Sequence, residues 1–360
     1  MTFIFGKDFK IQVFGESHGE GIGAVIEGCP PGLEIDQSRI QLELNRRRPG
    51  TGSLVSPRSE PDTFEIRSGV FKGKTTGAPI LMTISNKDVD SSSYEEIKDT
   101  PRPGHADYTA RVKYRGFNDY RGGGIFSGRL TAAMVMAGSI AQQILNQKGI
   151  EVLAHVIQIG PERVGQEVSD DELRSNVYSN PVRCANRESA ERMEAVIKDV
   201  KSEGDSIGGV IECRIIGVPA GVGEPIFDSV ESVLSHAMFS IPGVKGVEFG
   251  SGFKGVSMRG SENNDTLLIV DEKVGWSKND AGGILGGITN GAPVLFRVGF
   301  KPTSTIAKDQ RTIDLVKMEE VQLQARGRHD PCIVPRAVPV AVGLAAIAMV
   351  DLLKRNSATI

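Results

Sequence analysis

Histidine is scarce in this chain, with five in 360 residues, and cysteine is scarcer still, with four. Cys29, Cys184, Cys213 and Cys332 lie far apart and form no C-x-x-C pair. That spacing favours free thiols in a reducing cytoplasm over a disulfide framework or a zinc site. No metal site is expected. Net charge is −3 at pH 7, so there is no global basic field to draw nucleic acid. The longest apolar run, residues 337–353 (AVPVAVGLAAIAMVDLL), contains Pro339 and Asp351. It is short for a membrane span and reads as a buried helix. The opening MTFIFGKDFKIQ lacks a signal-peptide layout. The expectation is a cytoplasmic protein with no membrane part.

Glycine is abundant, 43 of 360, against a usual share of about 7%. It gathers in loops that also carry Arg, Asp and histidine. Residues 15–23, GESHGEGIG, set Glu16, Ser17 and His18 side by side among four glycines. FKIQVFG before them alternates apolar and polar residues, and AVIEG follows. Both read as strands, which puts the polar triplet on a bend with rigid flanks. Neighbouring strand side chains point to opposite faces, so no hydrogen-bonded Ser17–His18 couple is expected.

Along the chain, IDQSRIQLELNRRRPG fits a helix capped by Asp36 and stopped at Pro49-Gly50. Residues 51–62 read as a mobile loop. FEIRSGVF and APILMTIS are strand-like. Residues 86–124 have little periodicity and much Pro, Gly, Arg and Asp, so a long functional loop is expected. Helices are expected over 129–148 and near 188–202, with strands at IEVLAHVIQIG and IGGVIECRIIG. His155 falls in the first of these strands, and His236 in a helical pattern. A repeat also runs through the sequence. IEGCPPGL (26–33) matches IIGVPAGV (215–222), an offset of 189 residues. TTGAPILMTI (75–84) matches TNGAPVLFRV (289–298), an offset of 214. RLTAAMVMAG (129–138) matches RAVPVAVGLA (336–345), an offset of 207. The common order implies two similar α/β halves of one fold, with sheets packed on helices rather than a doubly wound parallel sheet.

Three loops carry most of the chemistry. RPGHADYT (102–109) sets His105 two residues from Asp107, so the carboxylate can orient the imidazole. NDYRGGGIFSGRLTA (118–132) places Arg121, three glycines, Ser127 and Arg129 before a helix start, a setting that favours anions. No G-K-[ST] follows those glycines, so this is not a Walker loop. KPTST (301–305) adds a lysine and three hydroxyls, and RGRHD (326–330) adds two arginines, His329 and Asp330. Arginines in this number suit a substrate with several negative charges, served by general acid–base histidines.

GESHGEGIGAVIEGCPPG, RGGGIFSGRLTA and RGRHDPC resemble the signature segments of the chorismate synthase family. RRRPGT, EGDSIGG, GVPAGVGEPIFD, VKGVEFG and AGGILGGI extend the likeness over nearly the whole chain. The resemblance implies one α/β (α+β) domain over residues 1–360. It would be a β-α-β sandwich with duplicated halves near 1–150 and 205–355. The implied reaction is anti-1,4-elimination of phosphate from 5-enolpyruvylshikimate 3-phosphate, giving chorismate at the end of the shikimate pathway. It depends on reduced FMN. The implied assembly is a homotetramer, and NADPH acts only indirectly, through an external flavin reductase. The implied catalytic residues are His18, His105 and Asp330, with Ser17 and Ser127 as a relay. FMN contacts fall on Ile125, Phe126, Ser127, Pro242, Gly243, Gly286, Lys301, Pro302, Thr303, Ser304, Thr305 and Arg328. Arg47, Arg48, Arg129 and Arg336 are expected to converge on the substrate, although some members assign the match of Arg47 to NADP. Where many members read RGGGRSSARETA, this chain has Ile125 and Phe126, which can offer flavin only backbone and apolar contacts. The loops at 45–60 and 86–120 are expected to close over ligand. The rival reading is a non-catalytic flavin- or phosphate-binding relative, which would not need both histidines, Asp330 and Ser17.

Overall fold

The computed structural model describes residues 3–48, 61–87, 90–324 and 330–357. Two five-stranded sheets enclose a layer of helices. The first sheet comprises β1 (Ile4–Phe5), β2 (Lys10–Gly15), β3 (Gly21–Glu27), β4 (Phe64–Ile66) and β5 (Ile80–Ser85), in the order β1-β2-β3-β5-β4. The second comprises β6 (Glu151–Ile159), β7 (Glu162–Arg163), β8 (Gly209–Ile216), β9 (Val244–Phe249) and β10 (Val294–Phe300), in the order β9-β10-β8-β6-β7. All pairings in both sheets are antiparallel. Strand residues alternate as the sequence does. Ile80, Met82 and Ile84 of β5 are buried, as are Val294, Phe296, Val298 and Phe300 of β10.

The helices that fill the sandwich are α1 (Gln37–Arg47), α2 (Thr131–Asn146), α3 (Val230–Phe239) and α4 (Val334–Ser357). Asp36 caps α1 by accepting from the N–H groups of Ser38 and Arg39. α2 packs on β3, α4 packs on β6 and β8, and the two helices pack on each other. They cross where glycine meets glycine: a Cβ on Gly138 would stand 2.3 Å from the Gly343 Cα. α4 is long and apolar enough to cross a membrane by length and composition, but 89% of its apolar window is buried inside the protein. It is a core helix with Pro339 inside it. Near its end, Asp351 Oδ1 accepts from the N–H groups of Lys7, Asp8 and Phe9 at 2.8, 2.7 and 2.9 Å, tying the first residues to the last helix.

Two short hairpins beside these sheets, Val70–Phe71 with Lys74–Thr75 and Ile284–Leu285 with Ile288–Thr289, build the same turn with the same bonds. Thr75 Oγ1 donates to the Pro30 carbonyl (2.5 Å) and accepts from Leu33 N–H (2.9 Å). Thr289 Oγ1 donates to the Pro219 carbonyl (2.7 Å) and accepts from Val222 N–H (2.9 Å). Both threonines are buried.

The 86–124 segment departs from the irregular loop expected. Residues Ser92–Ile97 and Asp107–Lys113 are short helices. The stretch is bonded across the molecule: Leu315 N–H donates to the Asp99 carbonyl (2.9 Å) and Thr312 Oγ1 to the Pro101 carbonyl (2.5 Å). These partners are more than 200 residues away in sequence, which local periodicity cannot reveal. The region 49–60 lies outside the described residues.

Candidate active site

The first turns of α2 and α4 open onto a cleft of about 610 Å³, within the size range of small-molecule sites. Its wall comes from corresponding connections in the two halves. The chain between β5 and α2 supplies Arg102, His105, Gly122 and residues 125–129. The chain between β10 and α4 supplies residues 301–305 and Asp330. The end of α1 adds Arg47, and the end of α3 leads into Pro242, Gly243 and Lys245.

His105 is held as its spacing from Asp107 suggests. Its Nδ1 lies 2.5 Å from Asp107 Oδ1, and Arg102 grips the same carboxylate with Nε to Oδ2 (2.8 Å) and Nη2 to Oδ1 (2.9 Å). Burial alone would raise the Asp107 pKa, but the hydrogen bonds from Arg102 and His105 hold it well below the usual carboxylate range. The aspartate therefore stays charged and fixes the ring. His18 Nδ1 lies 2.9 Å from Ser91 Oγ, and its ring meets Tyr94 edge-on at 5.3 Å. Ser17 is fully buried, with no hydrogen-bond partner for Oγ among the described residues, so no Ser17–His18 couple forms.

Between the imidazoles runs a ribbon without side chains. Gly122, Gly123 and Gly124 take φ of 60°, 82° and 52°, left-handed values that favour glycine. A Cβ on Gly122 would stand 2.3 Å from His18 Cδ2, and one on Gly123 would stand 3.4 Å from His105 Cε1. His105 is on the cleft wall, whereas His18 stands behind Gly122.

Among the described residues, six cations line the cleft (Arg47, Arg102, Arg129, Lys245, Lys301, Arg336) against one lining carboxylate, Asp330. Arg47 reaches Asp62 (3.2 Å), the Gly128 carbonyl (3.2 Å) and Thr131 Oγ1 (3.1 Å). Arg129 pairs with the same Asp62 and donates through Nε to Asn86 Oδ1 (3.0 Å). Arg336 pairs with Asp330 and donates to the Arg47 carbonyl (3.1 Å). Lys301 Nζ bridges the halves, donating to the Gly104 carbonyl (2.8 Å) and to Ser304 Oγ (2.6 Å). Burial, helped by the nearby charge of Lys245, lowers the Lys301 pKa.

Of the residues expected from sequence, the cleft brings together His105, Ile125, Phe126, Ser127, Pro242, Gly243, Lys301, Pro302, Thr303, Ser304, Thr305 and Asp330, with Arg47, Arg129 and Arg336. Four expected residues do not line it. Ser17 and His18 lie behind Gly122. Arg48 follows the last residue of α1, half-buried. Gly286 sits in the turn between Ile284–Leu285 and Ile288–Thr289. Arg121 bonds Asp119 instead of facing the cleft. Arg328, with Arg326 and His329, lies outside the described residues. Sequence reasoning passed over Tyr94, Arg102 and Lys245 on the wall, and Asp62 and Asn86 behind it. Only Arg102 left a local signal, three residues before His105 in the quoted motif.

The chorismate synthase family profile matches residues 9–353. The chain belongs to the chorismate synthase family. It is 54% identical to chorismate synthase of Korarchaeum cryptofilum, with 98% of each chain covered. It is 48% identical to that of Methanothermobacter thermautotrophicus, over 96% of this chain and 92% of the relative. A crystal structure of chorismate synthase superimposes with a TM-score of 0.75 at 30% identity, over 97% of this chain and 93% of that one. Members of the family are lyases acting on a phosphate-bearing substrate, and a cleft with six lining cations suits such a substrate.

Proposed function

We propose that this cleft converts 5-enolpyruvylshikimate 3-phosphate to chorismate and inorganic phosphate, with reduced FMN bound beside the substrate. The C–O bond to phosphate breaks, a ring C–H gives up its proton, and a new C=C bond forms, so no net oxidation occurs. The observation that carries this reading is the pairing of a six-cation wall with two imidazoles on one glycine ribbon. The substrate holds two carboxylates and a phosphate monoester, which itself carries about −1.5 to −2.

The residues present fit a flavin. Ile125, Phe126, Ile333 and Val340 give the cleft an apolar side, and Lys301 with Thr303, Ser304 and Thr305 gives it a cation and hydroxyls. When bound, reduced FMN supplies electron density to the substrate ring and a basic atom for the leaving proton. Arg129, Arg336 and Arg47 hold the substrate's anionic groups. His105, steered by Asp107, presents its Cε1–Nε2 edge toward Gly123, and we assign it to the flavin side of the cleft. We assign to His18, packed against the cleft-lining Gly122, the proton taken up by the departing phosphate. Asp330 orients Arg336.

We propose further that the two halves arose by duplication. The matched order of four strands, β2-β3-β5-β4 and β6-β8-β10-β9, and the matched threonine turns support this. A cytoplasmic homotetramer served by a separate NADPH-dependent flavin reductase completes the reading. The exposed apolar strand Leu267–Val270 supports a subunit contact. The test is an anaerobic assay with photoreduced FMN that follows phosphate release. Phosphate and chorismate in equal amounts are expected, and no phosphate above background would overturn the reading.

A further inference from the structure

We propose that Asp62 is a positioning residue for the substrate-binding arginines, and that through Arg129 and Asn86 it also fixes the bend that carries His18. The inference rests on the substrate reading above. Asp62 is 1% exposed and takes a φ of 48°, left-handed backbone that a non-glycine residue adopts at a cost. Its two carboxylate oxygens are divided between two guanidinium groups. Oδ2 takes Arg47 from the end of α1, and Oδ1 takes Arg129 from the turn before α2. Both arginines are themselves buried yet line the cleft. A guanidinium gripped at one edge has its plane set, and its remaining N–H groups then have a fixed direction.

The chain of bonds continues from Arg129. Its Nε donates to Asn86 Oδ1, and Asn86 Nδ2 donates to the carbonyls of Glu16 (3.0 Å) and Gly19 (2.9 Å). Those two carbonyls bracket Ser17 and His18. Asn86 N–H also donates to the Glu20 carbonyl (3.0 Å). One buried carboxylate is thus linked to two anion-binding side chains and, two bonds further, to the bend that carries His18.

Charge and aim predict opposite signs here, which makes the test decisive. If Asp62 served only to neutralise, removing its charge would leave the cleft more positive and anions would bind more tightly. If it positions, the arginines lose their direction and anions bind more weakly. Asp62→Asn keeps the size and removes the charge. The expected result is a rise in KM for 5-enolpyruvylshikimate 3-phosphate of roughly tenfold or more, the loss of about one charge-assisted bond. The flavin Kd, read by fluorescence quenching, should not move. A KM that is unchanged or lower would overturn the proposal. Partial unfolding of the variant lowers Vmax but leaves KM intact, so a merely structural role is distinguishable. Should Asp62→Asn yield no folded protein, Asn86→Ala cuts the same chain from the other side. It should raise KM and lower kcat together, and wild-type values for both would also overturn the proposal. Wild-type protein that releases no phosphate would instead strike the function reading itself.

Discussion

Arg129 and Arg336 occupy matching places in the sequence repeat, one before α2 and one in the first turn of α4, and each is paired to an aspartate. The aspartates differ. Asp62 lies at 1% exposure behind the wall and serves two arginines, whereas Asp330 lines the cleft itself, beside Arg336. The same contrast runs through the rest of the wall. The first half supplies both imidazoles and the glycine ribbon between them. The second supplies Lys245, Lys301 and a run of hydroxyls, which can rotate to follow a ligand. The order of four strands in each sheet and the buried threonine turns are common to both halves, while the connections above them differ. Shared packing fixes where the two walls stand, and the loops decide what each wall does.

The sharpest way to break this division is to remove an imidazole. His105→Ala should lower kcat by about 10²–10⁴-fold, the usual worth of a general acid–base group, with KM little changed. Lys301→Ala should act mainly on flavin affinity, and an equal kcat loss from both variants would erase the distinction. Next in size is Arg336→Ala. Steady-state kinetics should show KM for the enolpyruvyl substrate raised roughly tenfold to a hundredfold, given about 1.5–3 kcal/mol per charge-assisted bond to a buried anion. Flavin binding lost with KM unchanged would move Arg336 to the cofactor.

His155, on β6, provides a histidine with no place in the cleft. Burial pushes its pKa from 6.5 down to about 4. The unfolded chain therefore binds the extra proton first as pH falls. Stability from this site is complete above about pH 6.5 and drains away toward pH 4. Urea titrations of His155→Gln should show a flatter pH dependence across that window, by on the order of 1–3 kcal/mol. An unaltered slope would exclude His155 as its source. A stability change of similar size tests the duplication. Thr75→Val and Thr289→Val should each cost about 1–3 kcal/mol, because each buried hydroxyl leaves a carbonyl and an N–H unmatched. Denaturant midpoints that fall for one variant only would show that the two turns do unequal work.

Much of this was legible in sequence where the physics is local. Asp36 and the helix after it follow from capping, and the strands around GESHGEGIG follow from alternation. Residues 337–353 read as a buried helix, and that helix is the core of the molecule. Asp107 was found because it is two residues from His105. The residues that were missed act across long separations. Lys245 meets Lys301 from another element, and Tyr94 meets His18 from the short helix Ser92–Ile97. Asp62, at the end of a stretch that reads as a mobile loop, is among the most buried charges present. No window of sequence shows which arginine a lone aspartate will find. His18 illustrates the reverse case: its motif was plain, but its place behind Gly122 depends on three consecutive left-handed glycines.

The Gly138–Gly343 crossing acts as a fulcrum. Thr131 and Val334 begin their helices seven and nine residues before it, which at 1.5 Å per residue is a lever of roughly 10–14 Å. The cleft lies at the far end of both arms, with Arg129 and Arg336 beyond or near the tips. A single methyl group on Gly138, only 2.3 Å from the Gly343 Cα, would spread the arms like calipers and open the gap between two arginines it never touches. The gauge of the cleft is thus set deep in the core, by the two residues with no side chain to adjust.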